Sequence, residues 1–349
     1  EAARTHLLLA KVPVRTPSKK GSPRQLVAQR FLKGVGASTW NDDLPPPQVD
    51  RIDETTLLLC PGLLTGLLHS GAHPFIEEAP ALESERGWRT LRVDLHPFRS
   101  SAANEVDMLA ALDRGQGYTA DNQPVQEPEP PGQVFLIGYS KGGPDILQFL
   151  VDHPEYAQRV AAVVTWAGAN GGSYTADTIY EQVKNLDVKA GTDRLHQVLA
   201  SVNPLISEKT GLRRVDEYDV VGAFDDLRTS TREGFLRDNA AALDALGVPF
   251  FTLSGSTTPF EVPNFQFSDT VSLTKYDANN DMQLTQRQAA LDLEMATHLA
   301  TVHAHHWDLA YAPFPGRLRA LSPNLDHPCP RQAALAATWL LLAEVGLIH

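Results

Sequence analysis

The 349-residue sequence predicts an α/β fold: a mainly parallel central sheet, helices on both faces, and an inserted helical cap. Three observations carry that expectation. Short apolar runs of strand length recur along the chain. Amphipathic stretches alternate with them, which is the order of a parallel sheet covered on both sides. Between residues 174 and 239 the strand-like runs stop and the chain becomes polar and helical, as an insertion would.

The elements follow in order. Residues 1–50 are mixed and read as an N-terminal extension, set off by Pro45, Pro46 and Pro47. Residues 1–40 carry eight basic residues against Glu1 alone, a charge of +7 that leaves −19 on the rest of a chain whose net charge is −12. An acidic body argues against nucleic acid as a partner, and the basic stretch reads as a solvated flank. Thr55 to Leu59 (TTLLL) is a buried strand stopped by Cys60-Pro61-Gly62. Trp88 to Leu95 is a second strand. Asp121 to Gln133 holds Pro124, Pro128, Pro130 and Pro131 and reads as a loop. Val134 to Ile137 is a core strand, and a helix from Pro144 to His153 follows it closely. Ile146, Leu147 and Leu150 give that helix an apolar face, and Pro144 suits its first turn, where a missing N–H costs nothing. Val160 to Trp166, Val248 to Leu253 and Thr297 to Val302 supply further strands, and Gln332 to Val345 closes the chain as an apolar helix. The implied division is a core of 51–173 and 240–349 around a cap at 174–239.

Composition excludes several classes. Hydrophobic residues make up 42% and charged residues 21%, an ordinary globular balance. No stretch approaches 18 uninterrupted apolar residues, so no integral membrane segment is expected. The chain reads as soluble, and its start at Glu1 rather than Met leaves the compartment open. Cys60 and Cys329 form neither a disulfide framework nor a CxxC metal site, and read as free thiols. Gly34-Val35-Gly36 lacks the third glycine of a dinucleotide fingerprint, and no P-loop occurs.

The chemistry concentrates at Gly138-Tyr139-Ser140-Lys141-Gly142, which fits G-x-S-x-G between a core strand and a helix. That setting is a nucleophile elbow, where a sharp turn exposes a serine at the sheet edge beside a helix N-terminus. Ser140 is the expected nucleophile. The Lys141 N–H is one expected oxyanion donor, and Leu63 N–H, in the loop Leu59 to Leu64 (LCPGLL), is the other. The Lys141 side chain is expected to face solvent or a nearby carboxylate, without a catalytic role. The serine needs a base from beyond the last strand. In Val302 to Phe314 (VHAHHWDLAYAPF) His306 is chosen, with His305 second, while His303 and His305 at i, i+2 offer a rival metal pair. The orienting carboxylate is Asp281 in Lys275 to Leu284 (KYDANNDMQL), with Asp277 and Asp269 as alternatives. Asp277-x-Asn279-x-Asp281 imitates a calcium loop, but Met282 stands where that loop needs glycine and Gln288 where it needs glutamate. No metal or cofactor is expected.

Together "LLLCPGLL", "IGYSKGG", "NNDMQL" and "AHHWDLA" resemble the α/β-hydrolase superfamily, especially its serine esterases and lipases, from about Thr55 to the C-terminus. The order Ser140, Asp281, His306 is the order of that family. Two positions depart from its pattern: His305 stands where several bacterial members have Asp, and Met282 where they have Gly. The resemblance implies hydrolysis of a small or lipophilic carboxylic ester through an acyl-enzyme, with the 174–239 insertion as lid. Thioester, amide or lactone cleavage and acyl transfer use the same triad, and a non-catalytic binding module is the alternative of a different class. Leu195, Leu199, Leu205, Ile206 and Phe224 read as the core of the cap rather than the lining of an acyl pocket.

Overall fold

The computed structural model describes residues 23–40, 52–69, 71–186, 192–206, 210–316 and 327–349, with side chains from residue 27 to 35 in the first of these segments. The proline break at 45–47 and the basic residues before Pro23 lie outside the described residues. Six strands form one sheet: β1 (Thr55–Cys60), β2 (Thr90–Arg92), β3 (Gln133–Tyr139), β4 (Val160–Trp166), β5 (Phe250–Ser256) and β6 (Ala296–His303). Their order is β2-β1-β3-β4-β5-β6, and every pairing is parallel. All residues of β1, β4 and β5 are buried, which is why their sequences run apolar without alternation.

The helices are α1 (Pro23–Trp40), α2 (Glu78–Arg86), α3 (Ser101–Arg114), α4 (Gly142–Asp152), α5 (Tyr174–Val183), α6 (Thr192–Val202), α7 (Val220–Asp226), α8 (Thr229–Ala245), α9 (Phe267–Leu273), α10 (Gln286–Ala289) and α11 (Arg331–Glu344). Alternate strand residues feed two apolar layers. Leu57, Leu59, Phe135 and Ile137 meet Phe31 and Val35 of α1, Leu82 of α2, and Leu335 and Trp339 of α11. Leu58, Leu136 and Val163 meet Met108 and Leu112 of α3, Leu147 and Leu150 of α4, and Leu243 of α8. Right-handed crossovers explain the sides: the connection through α2 runs one way along the sheet, and those through α3, α4 and α8 run the other.

The expected strands and helices are present, with shifted ends. β2 is short and lies at the sheet edge, where β1 is its neighbour in the sheet and Arg92 is bridged on its outer side by Tyr118. β5 starts at Phe250, past Pro249, which has no N–H to give the ladder. α1 is a finding: it lies within the stretch read as an extension, yet Phe31 and Val35 are fully buried in the main core. Gly34 faces α11 there, where an added Cβ would sit 3.4 Å from the Ala337 methyl.

Between β4 and β5 the described chain is helical. Leu195, Leu199, Leu205, Ile206 and Phe224 are buried and continuous with the core beneath them. α8 crosses the expected cap boundary at 239, and its Phe235, Leu236, Ala240 and Leu243 reach the α3–α4 layer. Because β1 lies between β2 and β3, chain direction reverses there, and the loops leaving β1 and β3 border a crevice at the carboxyl ends of the strands. Among the described residues no helix is long and apolar enough to cross a membrane.

Candidate active site

At that crevice β3 gives way to α4 within two residues. Ser140 has φ +54°, and Lys141 returns to a right-handed φ of −58°. A left-handed serine costs about 1–2 kcal/mol, and local bonds hold it. Ser140 N–H donates to the Trp166 carbonyl (3.1 Å), and its own carbonyl accepts from Gly143 N–H (3.1 Å) and Ala169 N–H (3.0 Å). The flanking glycines are steric requirements. A Cβ on Gly142 would lie 2.1 Å from the Cys60 carbonyl oxygen, and one on Gly62 would lie 2.7 Å from the Ser140 Cβ. The loop after β1 therefore presses backbone to backbone on the elbow. Leu63 and Ser140 line one pocket.

Asp281 and His306 meet at the same edge. Asp281 is buried; its Oδ1 accepts from Gln283 N–H (3.0 Å) and Leu284 N–H (2.7 Å). Its Oδ2 lies 2.8 Å from His306 Nδ1, and His306 N–H donates to the Asp281 carbonyl at 2.8 Å. Three bonds thus fix the Asp281 carboxylate, and a side-chain and a backbone bond tie His306 to it. Met282 adopts φ +86°, the conformation glycine would favour, and its fully buried side chain holds it there. His306 is buried too; the Tyr139 hydroxyl donates to its carbonyl (2.9 Å), and the two rings lie 5.2 Å apart. Burial pushes the Tyr139 phenol well above its usual range, so it stays a neutral donor. His306 Nε2 is buried and has no hydrogen-bond partner among the described residues. It lines, with Ser140, a pocket of about 70 Å³ whose other walls include Leu63, Ile179, Val202, Phe224 and Trp307. Ser140 and His306 Nε2 do not form a hydrogen bond in this structure. In enzymes without substrate such bonds are often long and close only in the complex.

The alternatives go elsewhere. His303 Nε2 lies 2.9 Å from Glu261 Oε2. His305 turns to Asp308: its Nδ1 accepts from Asp308 N–H (3.2 Å), and its Nε2 lies 3.2 Å from Asp308 Oδ2. His327 donates its backbone N–H to Asp308 Oδ1 (2.8 Å), and its Nδ1 lies 3.0 Å from Oδ2. His305, Asp308 and His327 hold donor atoms within 4.8 Å of one another. With Nδ1 accepting, however, a neutral His305 carries its proton on Nε2, where a metal would need a lone pair. Asp277 accepts from Asn279 N–H (2.8 Å) and Gln286 N–H (3.0 Å), so the calcium-like spacing serves a hydrogen-bonded turn. Asp269 is exposed on α9.

The Lys141 side chain resolves toward the carboxylate of the two expectations: it is 1% exposed and ion-paired with Asp145. Burial raises the Asp145 carboxyl above its ordinary range, against the pull of Lys141. Sequence reasoning did not single out Tyr139, Trp307 or the close contact of Gly62. Tyr139 carries no signal beyond standing next to Ser140; its partner is 167 residues away.

No family model matches the sequence. In fold the chain is similar to a metagenomic carboxyl esterase, with 22% identity, a TM-score of 0.67, and coverage of 95% of this chain and 97% of that one. It is also similar to EstA from Clostridium botulinum, with 12% identity, a TM-score of 0.52, and coverage of 91% and 98%. The first match extends into the stretch read as an extension, where α1 packs. These likenesses, with the parallel sheet and its order, show the α/β-hydrolase fold.

Proposed function

We propose that the protein is a serine hydrolase that cleaves carboxylic esters through an acyl-enzyme, with Ser140 as nucleophile, His306 as base and Asp281 as its orienting acid. The observation that carries this reading is the state of His306. Its Nδ1 is held by a buried carboxylate, while its Nε2 has no hydrogen-bond partner among the described residues and lies at the pocket that Ser140 lines. With Asp281 accepting from Nδ1–H, Nε2 keeps the lone pair that a base requires. Ser140 Oγ attacks the ester carbonyl carbon and its proton passes to Nε2. The carbonyl π electrons move onto oxygen, where Leu63 N–H and Lys141 N–H are the proposed donors. The tetrahedral anion collapses, the C–O bond to the alcohol breaks, and Nε2–H protonates the departing oxygen. Water then attacks the acyl-enzyme with His306 as base, releasing the acid and restoring Ser140.

The 174–239 insertion supplies the cap of this site. Ile179, Val202 and Phe224 favour a lipophilic substrate, and the small pocket admits only a short acyl group in the arrangement described. Longer chains require the cap to move. Thioesters, amides, lactones and acyl transfer share the triad. The carboxyl esterase neighbour in fold favours the ester among them. Ser140→Ala should abolish turnover of short p-nitrophenyl esters, and intact turnover in that variant would remove the reading. Comparing acetate, butyrate and octanoate esters should show the shortest turned over fastest.

A further inference from the structure

We propose that Asp226, at the end of α7 between β4 and β5, is a positioning residue for the nucleophile elbow: with its side chain 14% exposed, it borders the buried charges of Lys141, Asp145 and Arg232 and couples docking of that stretch to the backbone at Lys141. Lys141 follows the nucleophile and its side chain is 1% exposed. Its ammonium is paired with Asp145 and lies 4.0 Å from Asp226 Oδ2. The remaining oxygen of Asp145 accepts from Asn104 Nδ2 (3.2 Å). Asp226 Oδ2 also accepts from Ser101 N–H (3.0 Å) and Ser101 Oγ–H (2.6 Å) at the start of α3. Arg232, 1% exposed on α8, feels the charge of both acids and donates Nε–H to the Asn170 carbonyl at 3.3 Å.

The Lys141 ammonium is ion-paired with Asp145 and approached by Asp226, and Arg232 adds a second buried positive charge near both acids. The core supplies Lys141 and Asp145; the stretch from β4 to β5 supplies Asp226 and Arg232. Without Asp226 the buried positive charges outnumber the negative, and an unpaired buried charge draws in water or shifts its neighbours. Besides the Ser101 N–H that donates to Asp226, the backbone tied to this set through its ammonium is that of Lys141, which follows the left-handed Ser140. The Cys60 carbonyl against Gly142 leaves that backbone little slack. An N–H displaced by a fraction of an ångström no longer meets a developing oxyanion, so the loss falls on kcat rather than on binding.

This inference rests on the esterase reading, and the experiment separates the two. In the full chain, Asp226→Asn should lower kcat and the rate of Ser140 labelling by a fluorophosphonate about 10- to 100-fold, with KM changed less than threefold. Asp226→Glu should recover part of that loss. Leu82→Ala, a core deletion on the opposite face of the sheet, should lower Tm while leaving kcat within twofold. If Asp226→Asn lowers Tm but not kcat, Asp226 is structural and the proposal is overturned. If the wild-type chain is itself not labelled, the esterase reading fails. Amide hydrogen exchange at Lys141 and Gly142 then decides the coupling: faster exchange in Asp226→Asn than in Leu82→Ala upholds it, and equal exchange overturns it.

Discussion

His305 and His306 are neighbours in the chain and both are buried, yet they serve different carboxylates. His306 is held by Asp281 through Nδ1, and its Nε2, without a partner among the described residues, lies at the pocket of Ser140. His305 has both ring nitrogens facing Asp308, which in turn gathers His327. One pair is open at its far end and the other is closed on itself. A histidine–carboxylate contact is therefore not by itself a catalytic arrangement; what the second nitrogen faces decides.

The largest effects should break this comparison outright. His306→Ala is expected to lower kcat about 10⁶-fold, by analogy with triad deletions in other serine hydrolases. His305→Gln should stay within tenfold of wild type in the same ester assay. Next, Asp281→Asn should cost about 10⁴-fold in kcat by fixing the wrong tautomer of His306, while Asp277→Asn stays near normal. Collapse in the second and not the first would transfer the acid role to Asp277. Asp308→Ala should reverse the balance: activity changes little, but unfolding by urea should show a loss of about 2–3 kcal/mol, because buried His305 and two groups of half-buried His327 lose their acceptor.

Smaller effects sharpen the picture. Met282→Gly relieves a left-handed backbone but deletes a fully buried side chain. Cavity terms of about 2–5 kcal/mol exceed relief of about 1–2 kcal/mol, so a net loss of about 1–3 kcal/mol is expected in denaturant unfolding, with kcat within a few-fold. Acid should separate stability from chemistry. Burial lowers the imidazoles of His73, His96 and His298 from an ordinary 6.5 to about 4. The unfolded chain then binds these protons first, so the stability they contribute is full above about pH 6.5 and lost as pH falls toward 4. Tm followed from pH 7 to pH 4.5 should fall. His298→Asn should flatten that fall, because one of the three contributing imidazoles is gone.

The elbow was legible because its chemistry is local: a strand, a serine between glycines and a helix stand within twenty residues. The sheet was legible because buried parallel strands need uninterrupted apolar runs. α1 was not read, although Val27, Phe31 and Val35 recur every four residues; the basic residues around them and the two glycines masked the stripe. His306 and His305 could be ranked but not separated by spacing, since only the fold determines which ring turns to the pocket. The Lys141–Asp145 pair sits at i, i+4 and is readable on a helix. The approach of Asp226, 85 residues from Lys141, is a product of tertiary packing alone.

The most direct test of the central claim is peptide mass spectrometry after reaction with a fluorophosphonate. One covalent adduct is expected, on the peptide containing Ser140, with its formation lost in His306→Ala and kept in His305→Gln. An adduct on another residue, or undiminished labelling of Ser140 without His306, would contradict it.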